Sequence, residues 1–115
     1  MRLVDHANPI RRAELTVMAS AMFGDLVKAV VDIRREVMAV DAELHSDEEA
    51  FLIGLGSEQE DLWGINLYPA LPGNDLVEFD SMINLRPSQG NRSRGVEDAA
   101  VRERILAIVG SIVSP

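Results

Sequence analysis

The chain has 115 residues, 47% of them hydrophobic, and a formal net charge of −8. This length predicts a single domain, and the acidic balance predicts no binding to duplex nucleic acid or to an anionic membrane. The sequence has no cysteine, no signal-peptide pattern and no apolar run of about 18 residues, so we expect a cytoplasmic protein without disulfides, thiolate metal sites or membrane spans.

Apolar residues at helical spacing predict an amphipathic helix near each end of the chain. The first, 9–23, begins after Asn8, a residue type that caps free N–H groups, and it ends before Gly24. The second, 98–113, begins at Asp98 and carries isoleucines every three or four residues. Each helix has a single apolar stripe, so we expect each to cover one face of a sheet.

Alternation of apolar and polar residues predicts the strands between the two helices. The clearest runs are 26–33, 37–44, 62–68 and 76–86. The first two have a connection too short for a parallel crossover, so they form an antiparallel hairpin. The last two are also joined by a short loop and pair antiparallel, and Pro87 then ends the final strand.

The segment 46–56 fits two structures. Ser46 followed by three acidic residues resembles the start of a helix. The apolar run that follows also fits a buried strand, and Gly54 and Gly56 weaken the helical alternative, so the sequence favours a strand.

The predicted fold is a two-layer α+β domain. An antiparallel sheet of four to five strands carries the N- and C-terminal helices on one face, the face of Trp63 and Phe79. The opposite face is expected to be partly open.

The most polar stretch is the loop 86–95, which leads to the predicted start of the last helix. A helix N-terminus favours anions, and arginine binds carboxylate or phosphate with two parallel hydrogen bonds. If strands 62–68 and 76–86 pair, the loop can fold over their shared polar face. The candidate anion-binding residues are Asn66, Tyr68, Asn84, Arg86, Asn91, Arg92 and Arg94. The alternative is a solvated network of ion pairs with no ligand.

Two weaker sites are also present in the sequence. Glu78 and Asp80, two apart on one strand, could act as acid and base. Period-2 spacing places a second set on one side of an extended chain, where it could hold a divalent metal: Asp41, Glu43, His45 and Asp47. A solvated acidic strand end is the better interpretation of that set, and no cofactor motif is recognisable.

The sequence is compatible with two functions. The first is a binding or assembly module that uses the open sheet face and the 86–95 loop, with self-association suggested by Val30, Val37 and Met82 among the polar residues of that face. The second is a small enzyme acting on an anionic metabolite. Arg86, Arg92 and Arg94 would then hold the anion, and Glu78 or Asp80 would transfer the proton.

Four stretches resemble a small bacterial family described only as a domain of unknown function. They are Met22-Phe-Gly-Asp-Leu-Val-Lys-Ala-Val-Val-Asp32, Ala42-Glu-Leu-His-Ser-Asp47, Glu60-Asp-Leu-Trp-Gly-Ile-Asn-Leu-Tyr-Pro69 and the run from Met82 to Asp98. The resemblance spans nearly the whole chain and implies a bacterial, cytoplasmic protein. It implies no activity, substrate or catalytic residue.

Overall fold

The computed structural model describes all 115 residues. In chain order the elements are β1 Arg2–Val4, β2 Ile10–Arg11, α1 Arg12–Ala21, β3 Val27–Asp32, β4 Val37–Val40, α2 His45–Gly54, β5 Leu62–Leu67, β6 Val77–Glu78, α3 Ala99–Ile112 and β7 Val113–Ser114. Five strands form an antiparallel sheet in the order β1-β4-β3-β5-β6. Strands β2 and β7 form a separate parallel pair that joins the start of α1 to the end of α3. None of the helices has the length and apolarity that a membrane crossing requires.

Helices α1 and α3 pack on the same face of the sheet, so the predicted α+β class and the placement of both terminal helices are confirmed. Alternate residues of β3, β4 and β5 point toward the two helices and form one buried cluster with them. Its main members are Leu15, Ala19, Val27, Ala29, Val31, Met38, Val40, Trp63, Ile65, Leu67, Ile105, Ile108 and Ile112. The predicted strand alternation therefore identifies the core face correctly.

The prediction of a strand at 46–56 is wrong, because His45–Gly54 is the helix α2. Its buried residues are His45, Glu48 and Leu52, at the spacing of one helical face. Two of these three are polar, which hides the apolar stripe in the sequence. Gly54 is the last helical residue, and Gly56 lies beyond the helix end with φ +101°, so these glycines mark termination rather than a helix interior.

Helix α2 covers the sheet face that the sequence predicted to be partly open, so the domain has three layers rather than two. Leu52 packs with Val30, Ala39 and Leu62 in a second, smaller core cluster. Val30 is fully buried there, so it cannot form part of an exposed surface for self-association.

The hairpin between β3 and β4 is confirmed, and Asp32 explains how it turns without glycine or asparagine. The buried Asp32 carboxylate accepts hydrogen bonds from the backbone N–H groups of Arg34 and Arg35, at 2.9 and 3.0 Å. Its second oxygen accepts from Ser57 Oγ at 2.6 Å. Glu36 then takes a left-handed conformation, with φ +57°, and completes the turn.

The strand predicted at 76–86 is correct only for β6, which ends at Glu78. Beyond it the chain crosses close to β5 at Gly64, where a methyl group in place of hydrogen would lie 2.5 Å from both Cβ and Oγ of Ser81. Asn84 then replaces the missing strand: its Oδ1 accepts from the Gly64 N–H at 2.8 Å, and its Nδ2 donates to the Gly64 carbonyl at 2.9 Å. One side chain thus satisfies the backbone groups that a longer β6 would have paired.

Gly64→Ala is expected to lower the free energy of unfolding by about 1–3 kcal/mol, because the added methyl group overpacks a closed contact with Ser81. Urea denaturation measures the loss, and it should shrink when Ser81→Gly is combined with it. Gly110→Ala is the control, since nothing lies within 4 Å of a methyl group at that helical position; this change should be neutral or stabilising. An equal, small effect of both single alanine substitutions would contradict the close crossing.

Candidate functional site

A cavity of about 200 Å³ lies on the α2 side of the sheet. Strand β3 contributes Lys28, β5 contributes Asn66, and the first turn of α2 contributes His45 and Ser46. The segment after β6 adds Asp80, and the loop before α3 adds Arg94; Leu44 and Met82 are exposed apolar residues of its lining. The volume is below the range of about 300–1,000 Å³ typical of drug-sized ligands, so it suits a small metabolite.

The cations of this cavity are Lys28 and Arg94. Lys28 is the only lysine in the chain; its ammonium forms no salt bridge and lies 4.9 Å from the centroid of the Phe23 ring. Arg94 uses its Nε to donate to Asp80 Oδ1 at 2.6 Å, and both side chains remain about half exposed. Two cations and one carboxylate leave the lining positive in a chain whose net charge is −8.

The N-terminus of α2 adds to this positive potential. No side chain caps the helix at its N-cap residue Leu44, and the first N–H groups of a helix have no partner within the helix. The helix dipole places partial positive charge at the same end. His45 and Ser46 therefore bring unpaired backbone donors to the cavity as well as their side chains.

His45 has a defined tautomer. Its Nε2 lies 2.7 Å from the Ile65 carbonyl oxygen, which can only accept, so Nε2 carries the proton. Burial lowers the pKa of His45, and the ring is therefore neutral at pH 7. Nδ1 has no partner in the chain and is free to accept a hydrogen bond.

Asn66 joins the cavity wall to a neighbouring polar network. It is only 7% exposed, and its Nδ2 donates to Glu78 Oε1 at 2.8 Å and to the Asp80 carbonyl at 3.3 Å. The Tyr68 hydroxyl donates to the same Glu78 oxygen at 3.1 Å, and burial together with this carboxylate raises the pKa of Tyr68. The Oδ1 atom of Asn66 is buried without a hydrogen-bond partner.

Three of the predicted binding residues hold the 82–97 segment in place. Arg86 stacks 4.6 Å from the centroid of the Trp63 ring and donates to the carbonyls of Leu62, Gln59 and Ile83. Asn84 pairs with the backbone of β5, as described above. The buried Asn91 donates to the carbonyls of Asn84 and Gly95, at 2.7 and 2.8 Å. The donors of these side chains are therefore engaged by the protein itself.

Arg92 and Arg94 do not converge. Arg92 is exposed, does not line the cavity, and its guanidinium has no partner in the chain. Glu78 also lies outside the cavity lining, whereas Asp80 is part of it. Of the predicted set, the structure therefore brings Asn66, Asp80 and Arg94 together at one cavity.

The weak metal alternative receives no support from the geometry. No three His, Asp or Glu side chains lie close enough to share a metal ion. Residues 41–44 are not a strand, since Asp41 has a left-handed φ of +71° and α2 begins at His45. The period-2 alignment that suggested the set Asp41, Glu43, His45 and Asp47 is therefore absent.

Glu48 is a buried ionisable residue that the sequence does not single out. It lies one turn after His45 on the buried face of α2. The Ala42 backbone lies near enough to favour the ionised form, but neither carboxyl oxygen forms a hydrogen bond of normal geometry. Burial raises the pKa of Glu48 to about 9, although the Ala42 backbone and the Lys28 ammonium oppose that rise. The carboxyl group is therefore protonated at pH 7. An acidic residue in the first turn of a helix is usually exposed and interacts favourably with the helix dipole. The sequence position of Glu48 therefore gives no sign that its side chain is buried.

Two other cavities lack this convergence of charge. One, of about 310 Å³, lies between β6, α3 and the C-terminal residues, and the other, of about 220 Å³, lies beside Trp63 and the start of α3. Each contains at most one cation, Arg12 in the first and none in the second, and Arg12 donates to the carbonyls of Pro69 and Leu71.

Comparison with known proteins gives a family but no activity. No curated protein and no solved structure is significantly similar to the chain. One family model matches residues 4–112, nearly the whole chain, which confirms the resemblance found in the sequence. The chain belongs to the family described as "Protein of unknown function (DUF5674)".

Proposed function

We propose that this domain is a binding module for a small anion, held in the cavity between α2, β3, β5 and Arg94. The observation that carries the proposal is that Lys28, the sole lysine, has no carboxylate partner and lines a cavity to which Arg94 and the uncapped start of α2 also contribute. Helix N-termini bind anions through free N–H groups and the dipole. A partly enclosed site strengthens these charges relative to bulk water.

The alternative function, an enzyme acting on the anion, has less support. Arg86 and Arg92 lie outside the cavity lining, and Glu78 already accepts two hydrogen bonds from Asn66 and Tyr68. Asp80 and His45 both line the cavity, but no pair of groups there forms a donor–acceptor contact typical of an activated nucleophile. Binding is therefore the simpler proposal.

The remaining expectations stay predictions. The predicted self-association rests on Val30, Val37 and Met82; of these, Met82 is exposed, Val37 is partly buried and Val30 is fully buried. A cytoplasmic location stays an expectation from the composition, bacterial origin an expectation from the family resemblance, and the absence of duplex nucleic-acid binding an expectation from the net charge.

The proposal predicts that phosphate or propionate raises the melting temperature of the wild type. A ligand at about ten times its Kd contributes about 1.4 kcal/mol, which corresponds to about 6 °C for a domain of this size. Lys28→Met and Arg94→Gln should remove most of that rise, because each deletes a cation of the cavity and keeps much of the side-chain stem. Differential scanning fluorimetry with and without the anion measures the shift.

Arg92→Gln is the matched control, since it removes the same charge two residues away and outside the cavity. It should keep the wild-type response to the anion. Loss of the response in Arg92→Gln but not in Lys28→Met would move the site to the exposed part of the loop and refute the cavity. No response of the wild type to either anion would refute anion binding altogether.

A further inference from the structure

We infer that the ligand of this cavity is a zwitterion of the α-amino-acid class, with an ammonium group beside its carboxylate; the inference rests on the anion-binding function proposed above. The inference is based on two adjacent side chains of opposite charge in the cavity lining, Arg94 and Asp80. Arg94 and Asp80 touch at 2.6 Å, line the same cavity, and are each about half exposed. An α-amino acid carries its own opposite charges on one carbon and can meet both.

Asp80 has capacity left for a ligand. Only its Oδ1 is engaged, by the Nε of Arg94, and Oδ2 has no partner in the chain. Arg94 likewise has both terminal nitrogens free of hydrogen bonds within the chain. A carboxylate ligand can therefore take the outer edge of the guanidinium, while Oδ2 accepts from an ammonium group.

Two residues of the lining, His45 and Asn66, each have an acceptor atom without a partner in the chain, and that of Asn66 is buried in the cavity wall. His45 presents Nδ1 without a partner, because its Nε2–H is fixed on the Ile65 carbonyl. Asn66 has an unpartnered Oδ1 and is more than nine-tenths buried, with Nδ2 fixed by Glu78 and the Asp80 carbonyl. A simple anion would satisfy none of these acceptors and would be repelled by Asp80. An ammonium group donates three hydrogen bonds and removes that conflict.

The competing explanation is that Asp80 only neutralises Arg94. The two explanations predict different selectivity among carboxylates of one size. L-Alanine, L-lactate and propionate share a three-carbon carboxylate skeleton and carry an ammonium, a hydroxyl or a hydrogen at C2. If Asp80 is a ligand group, the ammonium compound binds best; if Asp80 is only a counter-charge, L-alanine binds no better than L-lactate or propionate.

Isothermal titration calorimetry of these three compounds and of phosphate at pH 7 tests the inference. We expect L-alanine to bind at least about tenfold more tightly than propionate, a difference of about 1.4 kcal/mol. Asp80→Asn keeps an oxygen for Arg94 but removes the charge, and should bring the affinity ratio of L-alanine to propionate close to one. Glu103→Gln, an equal loss of charge at an exposed position of α3, should keep the wild-type ratio.

The possible outcomes separate the two proposals. Binding of phosphate and propionate without preference for L-alanine would overturn the zwitterion and leave the anion site intact. A preference that survives in Asp80→Asn would overturn the role of Asp80 and with it the inference. Absence of binding by all four compounds would overturn both proposals.

Discussion

Replacing Glu48 by Gln is expected to raise the free energy of unfolding at pH 7 by roughly 3 kcal/mol. The carboxyl group is buried in the folded protein with a pKa of about 9, against an ordinary value of 4.5. For each pH unit above the unfolded-state pKa of 4.5, the wild type loses about 1.4 kcal/mol of its free energy of unfolding. The reason is that the unfolded chain releases the Glu48 proton whereas the folded chain keeps it. Gln keeps the shape and is neutral at every pH.

The sign of this effect defines a pH window. Between about pH 4.5 and pH 9 the folded state holds one more proton than the unfolded state at Glu48, so the contribution of this residue to stability falls as pH rises. Below that window the contribution no longer changes with pH. The charged groups around Glu48 are Lys28 on β3, Asp41 after β4 and the N-terminal ammonium; Asp41 acts in the same direction as burial, and burial outweighs the two cations.

Urea denaturation of the wild type and Glu48→Gln at pH 5, 7 and 8.5 measures the window. The difference between the two proteins should be small at pH 5 and should grow toward pH 8.5. Glu43→Gln is the control, since Glu43 is exposed and its replacement should leave the pH dependence unchanged. A constant difference across the three pH values would show that Glu48 is ionised in the folded state.

The second large effect is expected from Asn84→Ala, which should lower the free energy of unfolding by about 2–5 kcal/mol. The substitution leaves the N–H and carbonyl of Gly64 without partners at the edge of β5, and each buried unpaired group costs about 1–3 kcal/mol. It also removes the donor that holds the Arg94 carbonyl at 2.9 Å. Loss of that contact should loosen the loop that positions Arg94.

Chemical denaturation gives the stability of Asn84→Ala, and amide hydrogen exchange locates the damage at Gly64 and the loop. Asn74→Ala is a suitable control because Asn74 is exposed and its side chain forms no hydrogen bond in the chain; it should change stability by less than about 0.5 kcal/mol. Similar stability of both alanine variants would mean that water replaces Asn84 at the strand edge, contrary to the closed packing.

Regular patterns explain why much of the fold could be predicted. The apolar residues that form the stripes of α1 and α3 and alternate along β3 and β5 are buried in the main core, as apolar residues usually are. Helix α2 could not be recognised in this way, because His45 and Glu48 occupy two of its three buried positions. The alternation overstates the length of the last strand, because Asn84 has the spacing of a strand residue but bonds through its side chain.

The candidate site was predictable only in part. Asn66 and Asp80 belong to the predicted polar face of two paired strands, and Arg94 belongs to the loop predicted to fold over that face. Lys28 alternates with core residues on a central strand and gives no local signal of a cavity. Its role depends on α2 lying over the same sheet face, and the sequence favours a strand where that helix lies.

The measurement that tests the anion-binding cavity most directly is a titration of the ¹⁵N-labelled protein with phosphate, followed by amide chemical shifts. An anion held in the cavity should produce saturable shifts that are largest for the His45 and Ser46 amides at the start of α2, with smaller changes at Arg94 and none at Arg92. The same titration of Lys28→Met should leave these amides nearly unmoved. Shifts confined to Arg92 and the exposed loop, or none at His45 and Ser46, would contradict the account.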